Sequence, residues 1–167
     1  MDRDGVINKE RGDYTYKIDD FKIIDGTTQA LQKLKNRDYL LIVITNQSGI
    51  SQGIYSREEM NSCHQFMNKS IGNLLDAIYY SPYHPKISES LSRKPDSLMF
   101  EKAISRFNID SSKSWMIGDS ERDLIPAVKL GIKTFYLGRD KLEIKPNAQA
   151  QSLLECSDMI IEYEKIA

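Results

Sequence analysis

Residues 39–45 read Tyr39-Leu40-Leu41-Ile42-Val43-Ile44-Thr45 and run straight into Asn46-Gln47-Ser48-Gly49. A nearly unbroken apolar run of this length, stopped by a polar turn, is how a strand covered on both faces of a parallel sheet reads. The flanking segments carry the other hydrophobic period. Upstream, a short apolar piece at 21–24 is followed by a helix expected over 27–37, with Ala30, Leu31 and Leu34 on one face. Downstream, the capping box Ser56-Arg57-Glu58-Glu59 opens a second helix in which Met60, Cys63, Met67, Ile71 and Leu74 keep helical spacing. His64 and the methionines there are read as helix surface and core. Ala77-Ile78-Tyr79-Tyr80 predicts another strand, and after a polar loop over 81–95, Phe100, Ala103, Ile104 and Phe107 fall at i, i+3, i+4 and i+7 of a third helix. Trp115-Met116-Ile117 predicts a strand that runs into Gly118-Asp119-Ser120-Glu121-Arg122-Asp123. A helix over 124–130 is closed by Gly131, and a strand follows over 133–137. A short helix over 149–154 and an edge strand over 159–161 are expected to complete the chain. Strands alternating with helices, with no internal repeat, predict a doubly wound, Rossmann-like α/β fold: a three-layer α/β/α parallel sheet in one domain spanning 1–167.

Composition narrows the function. The 167 residues are 40% hydrophobic, enough for one well-buried core, and the net charge of −1 gives no electrostatic case for nucleic acid or an anionic membrane as partner. Two distant thiols, Cys63 and Cys156, indicate neither a disulfide framework nor a zinc cluster. No apolar run approaches membrane-spanning length, and no charged-then-apolar leader opens the sequence, so a soluble cytoplasmic protein is expected.

The polar clusters sit where the apolar runs end. Asp2 and Asp4, then Thr45 to Gly49, then Asp119 to Asp123 should all meet at the carboxyl ends of the strands, where doubly wound sheets bind ligands. An Asp-x-Asp pair alone is most often a solvated turn. Joined to the other clusters, it suits a site where one carboxylate binds a hard cation and attacks phosphorus while the other handles protons. Phosphoryl transfer further needs donors for the equatorial oxygens, and Thr45, the amides after it and Lys94 can supply them. Asp119 is the natural third metal carboxylate.

Asp2-Arg3-Asp4-Gly5, Thr45-Asn46-Gln47-Ser48-Gly49, Arg93-Lys94-Pro95 and Gly118-Asp119-x-x-x-Asp123 together resemble the four motifs of the haloacid dehalogenase superfamily, in the right order and across nearly the whole chain. Within it the wording is similar to small phosphatases without a cap domain, which act on heptose bisphosphate or histidinol phosphate. Ile23-Ile24-Asp25-Gly26 and Tyr79-Tyr80-x-Pro82-x-His84-Pro85 lean toward the heptose branch. The resemblance implies that Asp2 is the nucleophile, becoming an aspartyl phosphate, and that Asp4 is the general acid and base. It implies Mg²⁺ on the Asp2 carboxylate, the Asp4 backbone carbonyl and Asp119, with Asp123 supporting the metal site from behind. Thr45 and Lys94 would hold the phosphoryl group. The remainder of a small phosphorylated substrate would fall to Glu10, Arg11, Gly12, Asp13, Asn46, Gln47, Ser48, Arg93 and Ser120. A monomer is expected. The alternatives are a phosphatase of histidinol phosphate or another small phosphomonoester, and a catalytically silent phosphate-binding module.

Three departures from the family pattern carry expectations of their own. Only Met1 precedes Asp2, so the central strand is curtailed here or begins ahead of this sequence. Ser120 stands where the heptose enzymes tend to have lysine. Ser81, Tyr83, Ser90 and Ser92 occupy the places of a zinc loop in relatives, so no zinc is expected.

Overall fold

The computed structural model describes residues 1–166. Five helices, α1 (Thr27–Lys35), α2 (Arg57–Ser70), α3 (Leu98–Phe107), α4 (Glu121–Lys129) and α5 (Leu153–Ile166), alternate with strands β1 (Ile42–Asn46), β2 (Ala77–Ser81), β3 (Trp115–Gly118), β4 (Lys133–Tyr136) and β5 (Ala148–Gln149). β1 pairs with β2, and β3 with β4 and β4 with β5, all in parallel. Met1 and Asp2 join the two groups into one sheet. The Met1 α-amine donates to the Ile42 carbonyl (2.9 Å), Ile44 N donates to the Met1 carbonyl (2.9 Å), and Asp2 N donates to the Ile117 carbonyl (2.9 Å). Asp2 is thereby fixed at the centre of the carboxyl edge.

Strand alternation divides the core between the two faces. Leu41 and Val43 of the β1 segment, Ile117 of β3 and Phe135 of β4 pack with the buried stripes of α1 (Ala30, Leu31, Leu34), α2 (Cys63, Met67) and α5 (Leu153, Cys156, Ile160). Their neighbours Ile42, Ile44, Met116 and Tyr136 point the other way, onto α3 (Met99, Phe100, Ala103) and α4 (Leu124, Ala127). This is the three-layer α/β/α arrangement, held by side chains each worth about 1.5–3 kcal/mol on full burial.

Local signals set the helix ends. Glu59 N donates to Ser56 Oγ (3.1 Å) and Ser56 N donates to Glu59 Oε2 (2.8 Å), which closes the capping box ahead of α2. Gly131, at φ +72, stops α4. The expected strand over 39–45 begins instead at Ile42, because Leu40 turns 45% of its surface to solvent. The segment at 21–24 contributes an isolated antiparallel bridge between Ile23 and Asn8. The carboxyl end needs correction. Residues 159–161 are not an edge strand and 149–154 are not a short helix: Gln149 ends β5, and α5 runs from Leu153 through Ile166. Leu153, Cys156 and Ile160 fall on one buried helical stripe while Met159 is 37% exposed, which is period 3.6 and not period 2. Among the described residues no helix is long and apolar enough to cross a membrane.

Candidate active site

Asp2 sits at a turn that only glycine allows. Gly5 adopts φ +76, and a Cβ there would collide with the Asp119 carboxylate, so the first loop and the loop after β3 are in van der Waals contact. This brings Asp2, Asp119 and Asp123 together, with one oxygen of each within 4.8 Å of the others. Lys94 lies behind them. Only 1% exposed, it places Nζ 2.9 Å from Asp2 Oδ1 and 2.7 Å from Asp123 Oδ1, and donates to the Ile44 carbonyl at 2.7 Å. It is not the solvated lysine that a polar Arg-Lys-Pro loop suggests. Its backbone is clamped by a reciprocal pair with Asn46, whose Nδ2 donates to the Lys94 carbonyl and whose Oδ1 accepts from Lys94 N, both at 3.0 Å.

The electrostatics follow from burial and from that one cation. Burial alone would raise the Asp2 carboxyl, but the Lys94 charge and the amide of Arg3 (2.7 Å to Oδ1) hold it below the usual carboxylate range. Lys94 is desolvated, yet Asp123 and Asp2 keep it protonated, above its usual value. Asp119 is pushed up to about 7 by burial and then by the charges of Asp123 and Asp2, and no donor among the described residues bonds to it. Both Asp123 oxygens are committed, Oδ1 to Lys94 and Oδ2 to the amide of Ser120 (3.1 Å). Asp2 and Asp119 are therefore the carboxylates with oxygens to spare, and crowded carboxylates that repel one another fit a divalent cation.

Asp4 is tied differently. Arg3, itself only 1% exposed, holds it bidentately, Nη2 to Oδ1 at 2.9 Å and Nε to Oδ2 at 3.1 Å. Asn8 Nδ2 adds a bond to Oδ1 (2.9 Å) and Gln47 Nε2 one to Oδ2 (3.1 Å). Gln47 is oriented in turn by Tyr55, whose hydroxyl donates to Oε1 (2.9 Å), and its Nε2 also reaches Thr45 Oγ1 (3.0 Å). Thr45 accepts that bond and keeps its own hydroxyl proton for a ligand. Under Arg3, His64 (Nε2 to Nη1, 3.3 Å) is driven down to about 3 by burial and the guanidinium, a neutral core histidine.

Asp2, Arg3, Asp4, Thr45 and Gln47 face a cavity of about 520 Å³ at the carboxyl edge of the sheet, while Lys94, Asp119 and Asp123 are not on its wall. Of the residues expected there, Asp2, Asp4, Glu10, Gly12, Asp13, Thr45, Asn46, Gln47, Ser48 and Arg93 form its walls. Others do not. Arg11 pairs with Asp20 (2.9 Å), and Ser120 is the N-cap of α4, its amide donating to Asp123 Oδ2 (3.1 Å). Glu10 Oε1 accepts from the amides of Arg11 (2.8 Å) and Gly12 (2.7 Å), and Asp13 Oδ1 from Tyr14 N (2.7 Å), so both carboxylates brace their own loop. Sequence reasoning missed Arg3, Tyr14, Thr15, His84 and Arg122 as site residues, which also face the cavity. Arg122 had a signal, one turn after Asp119 in a helix whose first turn faces the site; Arg3 had none. In the loop before Arg93, Ser92 Oγ lies 3.0 Å from Ser81 Oγ and 2.9 Å from Ser90 Oγ, a chain of hydroxyls.

A family model described as haloacid dehalogenase-like hydrolase matches residues 3–137. Two proteins named D-glycero-beta-D-manno-heptose-1,7-bisphosphate 7-phosphatase are similar to this chain over most of both lengths. That of Haemophilus ducreyi is 36% identical over 169 residues (96% of this chain, 92% of the relative), and that of Photorhabdus laumondii 38% over 164 residues (92% and 87%). Among solved structures, the D,D-heptose 1,7-bisphosphate phosphatase from B. bronchiseptica, complexed with magnesium and phosphate, superposes with a TM-score of 0.88 at 25% identity, covering 97% of this chain and 96% of that one.

Proposed function

The chain belongs to the haloacid dehalogenase-like hydrolases, and from that premise we propose that it is a Mg²⁺-dependent phosphatase of a small phosphorylated sugar, with heptose 1,7-bisphosphate, named in its relatives, as the substrate. The observation that carries this reading is the buried Lys94 between Asp2 and Asp123. A lysine in that place keeps the Asp2 carboxylate ionised and places a positive charge beside the phosphoryl position.

Lys94 and the Arg3 amide, both on Asp2 Oδ1, fix the orientation of the carboxylate, one oxygen of which attacks phosphorus to form the aspartyl phosphate. Thr45 Oγ donates its free proton to an equatorial oxygen, and Lys94 offsets the charge that develops there. Mg²⁺, held by Asp2, Asp119 and the Asp4 carbonyl, would supply the charge neutralisation that phosphoryl transfer requires. Asp123 steadies Lys94 and so the nucleophile. Asp4 is the acid and base. Every contact of its carboxylate in this geometry is to a protein donor, so protonating the leaving oxygen takes a side-chain rotation that exchanges Arg3 for substrate. Arg93 and the 10–13 loop meet the rest of the sugar. The protein is taken to act as a cytoplasmic monomer, without zinc.

Phosphate release from heptose 1,7-bisphosphate, histidinol phosphate and an aryl phosphate, each with Mg²⁺ and with chelator, tests the proposal. Turnover of the heptose bisphosphate should exceed the others and vanish with chelator. Preferred turnover of histidinol phosphate would reassign the substrate, and no turnover of any would leave a silent phosphate binder.

A further inference from the structure

Gln47 stands between two groups that the chemistry needs after the nucleophile. Its Nε2 donates to Asp4 Oδ2 at 3.1 Å and to Thr45 Oγ1 at 3.0 Å, so one amide, on a residue only 2% exposed, touches both the acid and base and the hydroxyl that meets the phosphoryl group. The direction of that amide matters. A carboxylate paired with arginine only accepts, so Nε2 must face Asp4, and Oε1 then needs a donor on its other side. In the reverse orientation Oε1 would oppose the Asp4 carboxylate and accept from Thr45, taking the proton that a phosphoryl oxygen requires.

Tyr55 supplies the missing donor. Its hydroxyl lies 2.9 Å from Gln47 Oε1, and the residue is buried. Burial pushes that hydroxyl above its usual value, so it keeps the proton it donates. The ring cannot drift. Tyr16 stacks on it at 5.0 Å between centroids, Tyr14 meets it edge-on at 5.7 Å, and a Cβ on Gly49 would collide with it. The capping box at Ser56 fixes the backbone on its carboxyl side. Tyr55 is not among the residues that face the cavity, so whatever it does for the reaction passes through Gln47.

We propose that Tyr55 is a positioning residue for phosphoryl transfer: its hydroxyl fixes the direction of the Gln47 amide, which orients Asp4 and leaves the Thr45 proton free for the phosphoryl group. The inference rests on the phosphatase reading, and it adds to the reaction a residue from outside the cavity.

Tyr55→Phe removes the hydroxyl and keeps the packed ring, so the fold should survive. kcat/KM is measured with Mg²⁺ on an aryl phosphate and on an alkyl phosphate, heptose 1,7-bisphosphate or, if it is turned over faster, histidinol phosphate. An alkoxide must be protonated as it leaves, whereas a nitrophenolate leaves with little help. In Tyr55→Phe the alkyl phosphate should therefore lose about tenfold, a part of the hundredfold expected from removing the Asp4 acid, and the aryl phosphate about threefold or less. In Gln47→Met the hydroxyl has no amide to orient, so adding Tyr55→Phe should cost less than about twofold more. Partial misfolding lowers both substrates by one factor. Equal losses on the two substrates, native values in Tyr55→Phe, or a further loss of about tenfold on the Gln47→Met background overturns the assignment. If the native protein turns over neither ester, the phosphatase reading fails by itself, and inorganic phosphate decides the role of Tyr55. With Mg²⁺, its affinity by calorimetry should drop about threefold or more in Tyr55→Phe, through Thr45. An unchanged affinity, or no binding by the native protein, overturns the assignment.

Discussion

Replacing Lys94 by methionine keeps most of the side-chain volume and removes the charge, so it isolates what that ammonium does. Nζ makes three contacts, to Asp2 Oδ1 (2.9 Å), Asp123 Oδ1 (2.7 Å) and the Ile44 carbonyl (2.7 Å), from a site 1% exposed. Taking one partner from a buried ion pair costs about 3–5 kcal/mol, because the remaining charge is left without compensation. At roughly 2–4 °C per kcal/mol for a domain of this size, Tm should fall by roughly 6–20 °C near neutral pH. The loss should depend on pH, with a sign that can be worked out. In the native protein the Asp2 carboxyl lies below its usual 3.8, so its contribution is present above that value and is lost as pH falls through the folded one. In Lys94→Met, burial acts on Asp2 and Asp123 with only the weaker Arg122 charge to oppose it, and both carboxyls should be driven upward. A carboxyl raised by folding favours the folded state as pH falls, so the gap between native and variant should narrow toward about pH 5. Urea unfolding of both proteins in chelator at about pH 7.5 and about pH 5 measures it. A difference below about 1 kcal/mol, or a gap equal at the two pH values, refutes the account of Lys94 as the cation holding the carboxylates together.

The remaining predictions concern the chemistry and the metals. Asp2→Asn should abolish turnover while the protein stays folded by circular dichroism, and Asp4→Asn should cost on the order of a hundredfold in kcat; full activity in pure Asp2→Asn sinks the mechanism. In the metal-free protein Asp119 is pushed up to about 7, so Mg²⁺ must displace a proton below that pH. Its affinity should then drop about tenfold per unit of pH below about 7 and level off above about 8. Calorimetry in buffers of different ionisation enthalpy would count the proton, and an affinity flat across that range would remove Asp119 from the metal. Elemental analysis of protein purified without chelator should find no zinc, since three serines and Tyr83 replace the ligands. About one equivalent, lost in His84→Ala, would show that the loop holds the ion after all.

The order of layers was legible because β1, β3 and β4 are apolar on both faces, and that pattern survives without any knowledge of partners. The convergence of Thr45 and Asp119 was legible for a related reason, since each lies at the carboxyl end of such a strand, whereas Asp2, with only Met1 before it, was legible through the Asp-x-Asp pair. Lys94 was legible as a positive charge near the phosphoryl position, but its burial was not. A lysine between arginine and proline in a polar loop looks solvated, and only the reciprocal pair with Asn46 and the two buried carboxylates reveal why it goes inside. Arg3 was hidden because Asp4, not the alternation of a strand, decides where its side chain goes. Met159-Ile160-Ile161 misled in the opposite sense. Three apolar residues in a row mimic an edge strand, yet only Ile160 is in the core.

The hydroxyl chain of Ser81, Ser92 and Ser90 has a consequence for where this protein can work. A loop clipped by thiolates is vulnerable to peroxide, which climbs the oxidation ladder on sulfur and releases the ion. Serine oxygens have no such chemistry, and their bonds form without drawing on a scarce trace element. What is given up is grip, because each neutral hydrogen bond contributes about 1 kcal/mol, against about 10–16 kcal/mol for a structural zinc. On the proposal that this loop holds no zinc, it should tolerate oxidants and metal starvation, at the cost of opening and reclosing more often than a metal clip allows.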